Sequence, residues 1–291
     1  MIPPGLDPPP ALRQILLHAR AAVEANTLEL ETFLAERLQD LRARYSNEPL
    51  GRFDRCLSIM LQKQGIFRPK PSFMYFPNLP AIEFFDRREF PWLDAIEAAT
   101  DDIRAELVNV LADGPAVLDP YMNIPAGSPL GQWGELNHSR RWGTYYLWRE
   151  GIAFPDHIAR CPRTVVALAS SPQWDVPLSG PTAVFSILDA RTRIPAHTGM
   201  SNTRLVVHVP LIVPPGCGFR VGGETREWQP GHAFAFDDSI EHEAWNNSDE
   251  PRAVLIIDVW NPLLSSAERD LVRSLTAGVG EYYGTKSFCD E

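Results

Sequence analysis

From Ala11 to about Arg44 apolar residues recur at helical intervals: Leu12, Ile15, Leu16, Ala19 and Val23, then Leu30, Phe33, Leu34, Leu38 and Leu41. Charged residues fill the other faces, so the spacing predicts one long helix or two shorter ones. Ser46-Asn47-Glu48-Pro49 and Gly51 end it, and a further helix is expected from Phe53 to Leu61. This stretch resembles the end of a helical repeat, although one copy does not make an array. Prolines at 69, 71, 77 and 80 then mark a non-helical connection. Leu93, Ile96, Ile103, Leu107 and Leu111 predict an amphipathic helix with acidic residues near its start. Beyond Tyr145 the pattern shortens to strand-like runs: Tyr145–Trp148, Thr164–Ala169, Ala183–Leu188, Leu205–Val213, Gly218–Val221, His232–Phe236 and Ala253–Val259. Gly, Pro, Asn and Asp separate them, with turns expected at Gly222-Gly223 and Pro230-Gly231. Many short, closely spaced strands indicate a sandwich or barrel. The expected organisation is an N-terminal helical region, 1–68, followed by a mainly β jelly-roll domain, 69–291, with flanking helices.

Composition narrows the class without naming it. The 291 residues are 44% hydrophobic and 22% charged, ordinary for a globular chain with a sizeable core. A formal charge of −10 argues against a nucleic-acid partner, because phosphate contacts need clustered Lys and Arg. The longest apolar runs are too short to span a bilayer, and Met1-Ile2-Pro3-Pro4-Gly5 lacks the basic start and apolar region expected of a signal sequence. Cys56, Cys161, Cys217 and Cys289 are scattered without a CxxC pair, which fits a reducing compartment. The expectation is a cytoplasmic protein without a membrane or nucleic-acid partner, acting on a small-molecule or peptidyl substrate.

Candidate chemistry concentrates in the strand-rich half. His197, in His197-Thr198-Gly199, follows a strand pattern, and His242 follows the apolar run that ends at Phe236. Two imidazoles from separate segments could hold a divalent metal, and histidine nitrogen suits Fe(II). Taken singly, either residue is more commonly an ordinary hydrogen-bonding histidine. Arg252 opens a strong strand ten residues after His242. Pointing inward, it would need an anion, since an unpaired buried charge is costly, and its fork matches a carboxylate. Pointing outward, it would pair with Asp249 or Glu250. Together the three suggest a non-haem iron oxygenase that uses a keto acid, 2-oxoglutarate, as co-substrate. Such sites usually carry a carboxylate two residues after the first histidine, where this chain has Gly199. Asp238 is a candidate to act in its place through water. His208 interrupts Leu205-Val206-Val207-His208-Val209 and shares a strand face with Val206; it is either a donor to the keto acid or a satisfied core histidine. Ser186 is a similar small polar group inside an apolar strand. No P-loop, dinucleotide fingerprint or nucleophile elbow is present.

The run of motifs resembles the aspartyl/asparaginyl β-hydroxylase family. The likeness is carried by Phe185-Ser186-Ile187-Leu188, His197-Thr198-Gly199, Asn202, Arg204-Leu205, Gly216-Cys217, Glu224 to Trp228, Phe236 to Ser239, Glu241 to Asn246 and Asp258 to Pro262. Asp86-Arg87, Phe90-Pro91-Trp92 and Trp142 with Leu147-Trp148 extend it upstream. The resemblance implies a double-stranded β-helix with Fe(II) on His197 and His242 alone. It further implies 2-oxoglutarate contacts from Trp142, Ser186, His208 and Arg252, and O2-dependent hydroxylation of an unactivated carbon with release of succinate and CO2. The β-carbon of an aspartyl or asparaginyl residue, or of a related amino-acid-derived compound, is the expected target, with a lipid less favoured. Two departures stand out. Val206 replaces the arginine that animal members carry two residues before the position of His208, and their cysteine pair has no match beyond Cys161. Gly199 also admits a halogenase, in which chloride takes the missing carboxylate's place. A third reading is a non-catalytic, cupin-like metal-binding sensor.

Overall fold

The computed structural model describes residues 9–285. The chain divides into two compact units, 1–66 and 67–291. In the first, helix α1 (Pro10–Arg44) runs unbroken for 35 residues, and α2 (Gly51–Met60) follows after a turn. Ion pairs Arg42–Asp54 and Lys63–Glu31 tie the segment after α1 back along its C-terminal half. No residue of α1 is buried.

The second unit is built on two antiparallel sheets. Its elements are α3 (Leu93–Ala98), α4 (Thr100–Leu111), β1 (Asp119–Pro120), β2 (Trp142–Arg149), β3 (Ile152–Ala153), α5 (Pro155–Arg160), α6 (Pro162–Leu168), β4 (Ala183–Leu188), β5 (Thr192–His197), β6 (Arg204–Ile212), β7 (Cys217–Val221), β8 (Glu224–Arg226), β9 (Phe234–Phe236), β10 (His242–Asn246), β11 (Arg252–Trp260) and α7 (Ser266–Tyr283). The larger sheet has the order β1-β2-β4-β11-β6-β9, with β3 hydrogen-bonded to β2; the smaller has the order β5-β10-β7-β8. Most ladders join strands that are not consecutive in the chain, which is the jelly-roll arrangement.

The two-residue period of a strand separates two cores. Leu205, Val207, Val209 and Leu211 of β6, with Ala253, Leu255, Ile257 and Val259 of β11, pack beneath the helices against Leu93, Ile96, Ile103 and Leu107. Residues of opposite parity, including Val206, Val254, Leu188 and Trp142, face the interior between the sheets with Phe219, Val221, Trp228 and Phe236. Both faces of the central strands are therefore buried, which is why their sequences read as nearly continuous apolar runs. A polar residue of even number on β6 or β11 is accordingly held inside the barrel.

Two elements differ from expectation. Thr164–Ala169, expected as strand-like, lies largely in helix α6. Pro162 occupies the first turn, where its missing N–H costs nothing, and the Glu106 carboxylate accepts from Arg163 N at 2.7 Å and Thr164 N at 2.9 Å. These contacts satisfy the free donors of a helix start and outweigh the β-branched composition. The helix expected from Leu93 to Leu111 is divided at Ala99 (ψ 2°), and both halves keep their apolar side on the core. Among the described residues no helix is long and apolar enough to cross a membrane.

Candidate active site

His197 ends β5 and His242 begins β10, and the two are directly paired across the ladder. Their ring centroids lie 4.1 Å apart. His197 Nδ1 is 2.8 Å from the Pro195 carbonyl and His242 Nδ1 is 3.0 Å from the Ile240 carbonyl. A carbonyl can only accept, so each ring carries its proton on Nδ1 and keeps Nε2 as a lone pair. Burial pushes both imidazoles down, to about 3 for His197 and about 4 for His242. Two neutral rings with matched tautomers, side by side on adjacent strands, are suited to hold a divalent ion. Trp133 meets His197 edge-on, with centroids 5.2 Å apart.

The space beside Gly199 is already taken. A Cβ built on Gly199 would lie 1.9 Å from Asp238 Oδ2. The glycine is thus required by close approach, and the Asp238 carboxylate occupies the root of the missing side chain. Backbone contact fixes the two segments, with Gly199 N donating to the Asp238 carbonyl at 2.7 Å. Among the described residues no group of three or more His, Cys, Asp or Glu side chains could hold a metal together, and Asp238 forms no such set with the two histidines.

A second polar cluster lies deeper in the barrel. Arg252, Leu188 and Trp142 form one rung across β11, β4 and β2, and Val254, Ser186 and Thr144 form the next rung of the same parity. Arg252 is 1% exposed. It points inward rather than outward; Asp249, the expected surface partner, pairs with Arg191 instead. Arg252 Nη1 approaches the Ser186 carbonyl at 3.4 Å, and its Nε has no hydrogen-bond partner among the described residues. Burial lowers it from 12.5 to about 10. Its guanidinium lies 4.7 Å from the ring centre of Trp228, whose Nε1 donates to His208 Nδ1 at 3.1 Å. That bond places the proton of neutral His208 on Nε2 and makes the ring's other edge a donor. Trp142 Nε1 donates to Ser186 Oγ at 3.1 Å. A buried cation without an anion, beside a hydroxyl and an imidazole donor, matches one end of a dicarboxylate.

Aromatic side chains connect the two clusters. Phe219 and Phe236 each lie 4.9 Å or less from the His208 ring and 6.1 Å or less from the His242 ring. Trp142 lies 6.4 Å from His197 while bonding Ser186. The structure therefore brings His197, His242, Asp238, Trp142, Ser186, His208 and Arg252 to one barrel interior. Sequence reasoning assigned no role to Trp228, which orients His208 and faces Arg252, nor to Arg204 and Asp258. All three fall within the motifs that carried the resemblance, and parity on β6 and β11 places Arg204 and Asp258 inside.

Comparison with known proteins identifies the family. The aspartyl/asparaginyl β-hydroxylase family model matches residues 97–262, more than half of the chain. Aspartate β-hydroxylase domain-containing protein 2 of Xenopus tropicalis is 29% identical over 89% of this chain and 70% of its own length. The ornithine lipid ester-linked acyl 2-hydroxylase of Rhizobium tropici is 35% identical over 63% of this chain and 62% of its own. Human aspartyl/asparaginyl β-hydroxylase is 33% identical over 57% of this chain, which spans only 21% of that protein. Among solved structures, the cupin domain of Schizosaccharomyces pombe Cnp3 aligns with 56% of this chain and 83% of its own at 10% identity and a TM-score of 0.28. On the family match, this chain is a member of the aspartyl/asparaginyl β-hydroxylase family.

Proposed function

We propose that this chain is an Fe(II)- and 2-oxoglutarate-dependent dioxygenase that hydroxylates an unactivated carbon. The observation that carries the reading is Arg252: a guanidinium buried without a counter-anion among the described residues, in the same interior as two neutral histidines whose Nε2 atoms carry lone pairs. His197 and His242 would hold the metal, and Arg252, His208 and Ser186 would hold the far carboxylate of 2-oxoglutarate, with Trp142 bracing Ser186. The bound iron and keto acid supply the oxidising power for C–H cleavage, with O2 as oxidant and succinate and CO2 as co-products. The chain's own residues bind, orient and exclude water: the apolar wall of Phe219, Phe236 and Val254 around the two clusters leaves Arg252 strongly selective for an anion.

The activities for which two relatives are named share one chemistry. An acyl 2-hydroxylase and an aspartyl β-hydroxylase both act on a methylene adjacent to a carboxyl-derived carbonyl. We assign the same class of carbon to this chain. Asp238 argues against halogenation, because its carboxylate at the root of the missing side chain would repel a halide bound beside it.

Incubation of the protein with Fe(II), 2-oxoglutarate and air is expected to release succinate, with His197→Ala and His242→Ala abolishing it. Absence of succinate together with absence of 2-oxoglutarate binding would favour the cupin-like sensor. Chlorinated product in chloride buffer would favour the halogenase.

A further inference from the structure

Arg204 and Asp258 have no part in the site as described so far. They are diagonal neighbours on β6 and β11, where Arg204 pairs with Trp260 and Val206 with Asp258. Arg204 Nη1 donates to Asp258 Oδ2 at 2.6 Å and Nη2 donates to Asp238 Oδ2 at 2.6 Å. The three side chains are 15%, 4% and 5% exposed, in the order Arg204, Asp258, Asp238. The guanidinium also lies 5.5 Å from the ring centre of Trp174, which is itself held by a bond from Nε1 to Thr203 Oγ1 at 3.2 Å. Arg204 is thus gripped on one side, and its other amino group ends on the carboxylate beside Gly199.

The geometry has a consequence for a metal on the two histidines. Asp238 Oδ2 lies 1.9 Å from where the Cβ of residue 199 would be, and Oδ1 lies 2.8 Å from it. The oxygens of an aspartate at 199 would lie two bonds further out than that Cβ. The carboxylate of Asp238 thus lies at the root of the usual third-ligand side chain, and among the described residues it forms no metal-holding group with His197 and His242. An anionic oxygen so near a dication would be drawn onto it unless something held it, and Oδ1 of Asp238 is buried without a partner of its own.

We propose that Arg204, clamped by Asp258, is a positioning residue that restrains Asp238 from binding the metal directly and so keeps the two-histidine site open. This rests on the metal-site reading given above. The short, two-pronged grip on Arg204 makes the restraint stiff, since a guanidinium bridges two carboxylates in one plane where an ammonium serves as a single point charge. Asp238 then acts on the metal's surroundings rather than as a ligand, and Arg204 is the reason.

Co(II) titration of the full-length protein, followed by its visible absorption, tests this without reference to turnover. Arg204→Gln is expected to bind Co(II) about tenfold tighter than wild type, with an altered d–d spectrum, as Asp238 swings inward. The double variant Arg204→Gln/Asp238→Asn is expected to return to the wild-type spectrum and affinity. Arg204→Lys, which cannot hold both carboxylates, shifts in the same direction. Should the Arg204 variants fail to fold, Asp238→Glu reaches the metal by length alone and is expected to tighten Co(II) binding. Folded variants with unchanged or weaker affinity and an unchanged spectrum overturn the restraint while leaving the metal site intact. Failure of the wild type to bind Co(II) overturns the metal site and the restraint together.

Discussion

Replacing Arg252 by methionine separates what this residue costs the fold from what it contributes to binding. The side chain is 1% exposed, carries no ion pair among the described residues, and leaves Nε unbonded. Burial lowers it from 12.5 to about 10. At 1.36 kcal/mol per pKa unit, that corresponds to about 3 kcal/mol of unfavourable free energy for keeping the charge inside the barrel. Methionine is unbranched and flexible enough to fill much of the same volume, so part of this is recovered as stability. In a chain of this size each kcal/mol moves Tm by roughly 2–4 °C, and Arg252→Met is expected to melt several degrees higher than wild type when no ligand is added. The order reverses with 2-oxoglutarate and Mn(II). Saturating ligand at about 100 times its Kd stabilises the wild type by about 2.7 kcal/mol, whereas the variant, lacking the charge-assisted fork, shows little further shift. Differential scanning fluorimetry with and without 2-oxoglutarate reads both halves. A variant that melts lower without ligand and still gains stability from 2-oxoglutarate would refute the anion-clamp argument at its root.

Gly199→Ala puts a Cβ 1.9 Å from Asp238 Oδ2, and because Arg204 and the Gly199–Asp238 backbone bond hold that carboxylate, about 1–3 kcal/mol of stability is expected to be lost; an unchanged Tm would show the contact to be soft. The imidazoles of His197 and His242 are lowered to about 3 and about 4. A proton therefore competes with metal only near those values, and Co(II) affinity is expected to stay nearly flat from about pH 8 to about pH 6, where ordinary histidines would begin to protonate and release metal. Steep weakening across that interval in a Co(II) titration would contradict the assigned tautomers and burial. Trp228→Phe removes the bond to His208 Nδ1 and frees that ring to turn; loss of one such bond is worth about 1 kcal/mol, so calorimetry is expected to give a severalfold weaker 2-oxoglutarate Kd. An equal Kd would remove His208 from the binding site.

Much of this architecture is written locally. Strand parity is legible in Leu205-Val206-Val207-His208-Val209, and it placed His208 with Val206 on one face, as the two cores bear out. The direction of Arg252 was open between interior and surface because the run Ala253–Val259 is apolar on both faces. Only register against β4, which aligns Arg252 with Leu188 and Val254 with Ser186, decides it. Helix α6 was hidden for a related reason: the carboxylate that caps it belongs to Glu106, 58 residues before Thr164. Helix α7, by contrast, announces itself through a capping box, Ser265 with Glu268, and a left-handed Gly284 at its end; the strand-rich stretch before it draws the eye away.

The least legible feature is the one on which the chemistry turns. Nothing near Gly199 in the chain indicates what fills its missing side chain, because Asp238 comes from a segment on the far side of β6, β7, β8 and β9. A glycine in sequence reads as an absence; in the fold it is a clearance for a carboxylate held by Arg204, itself held by Asp258 at the far end of β11. Three segments, around 199–204, 238–242 and 258, therefore act together in keeping the site at two protein ligands. Substitution at position 199 alone meets Asp238, and substitution at 238 alone removes one of the two carboxylates that hold Arg204 in a buried setting, which is costly for a charge. The two-histidine arrangement is thus a property of a packed polar unit spanning both sheets rather than of one missing side chain.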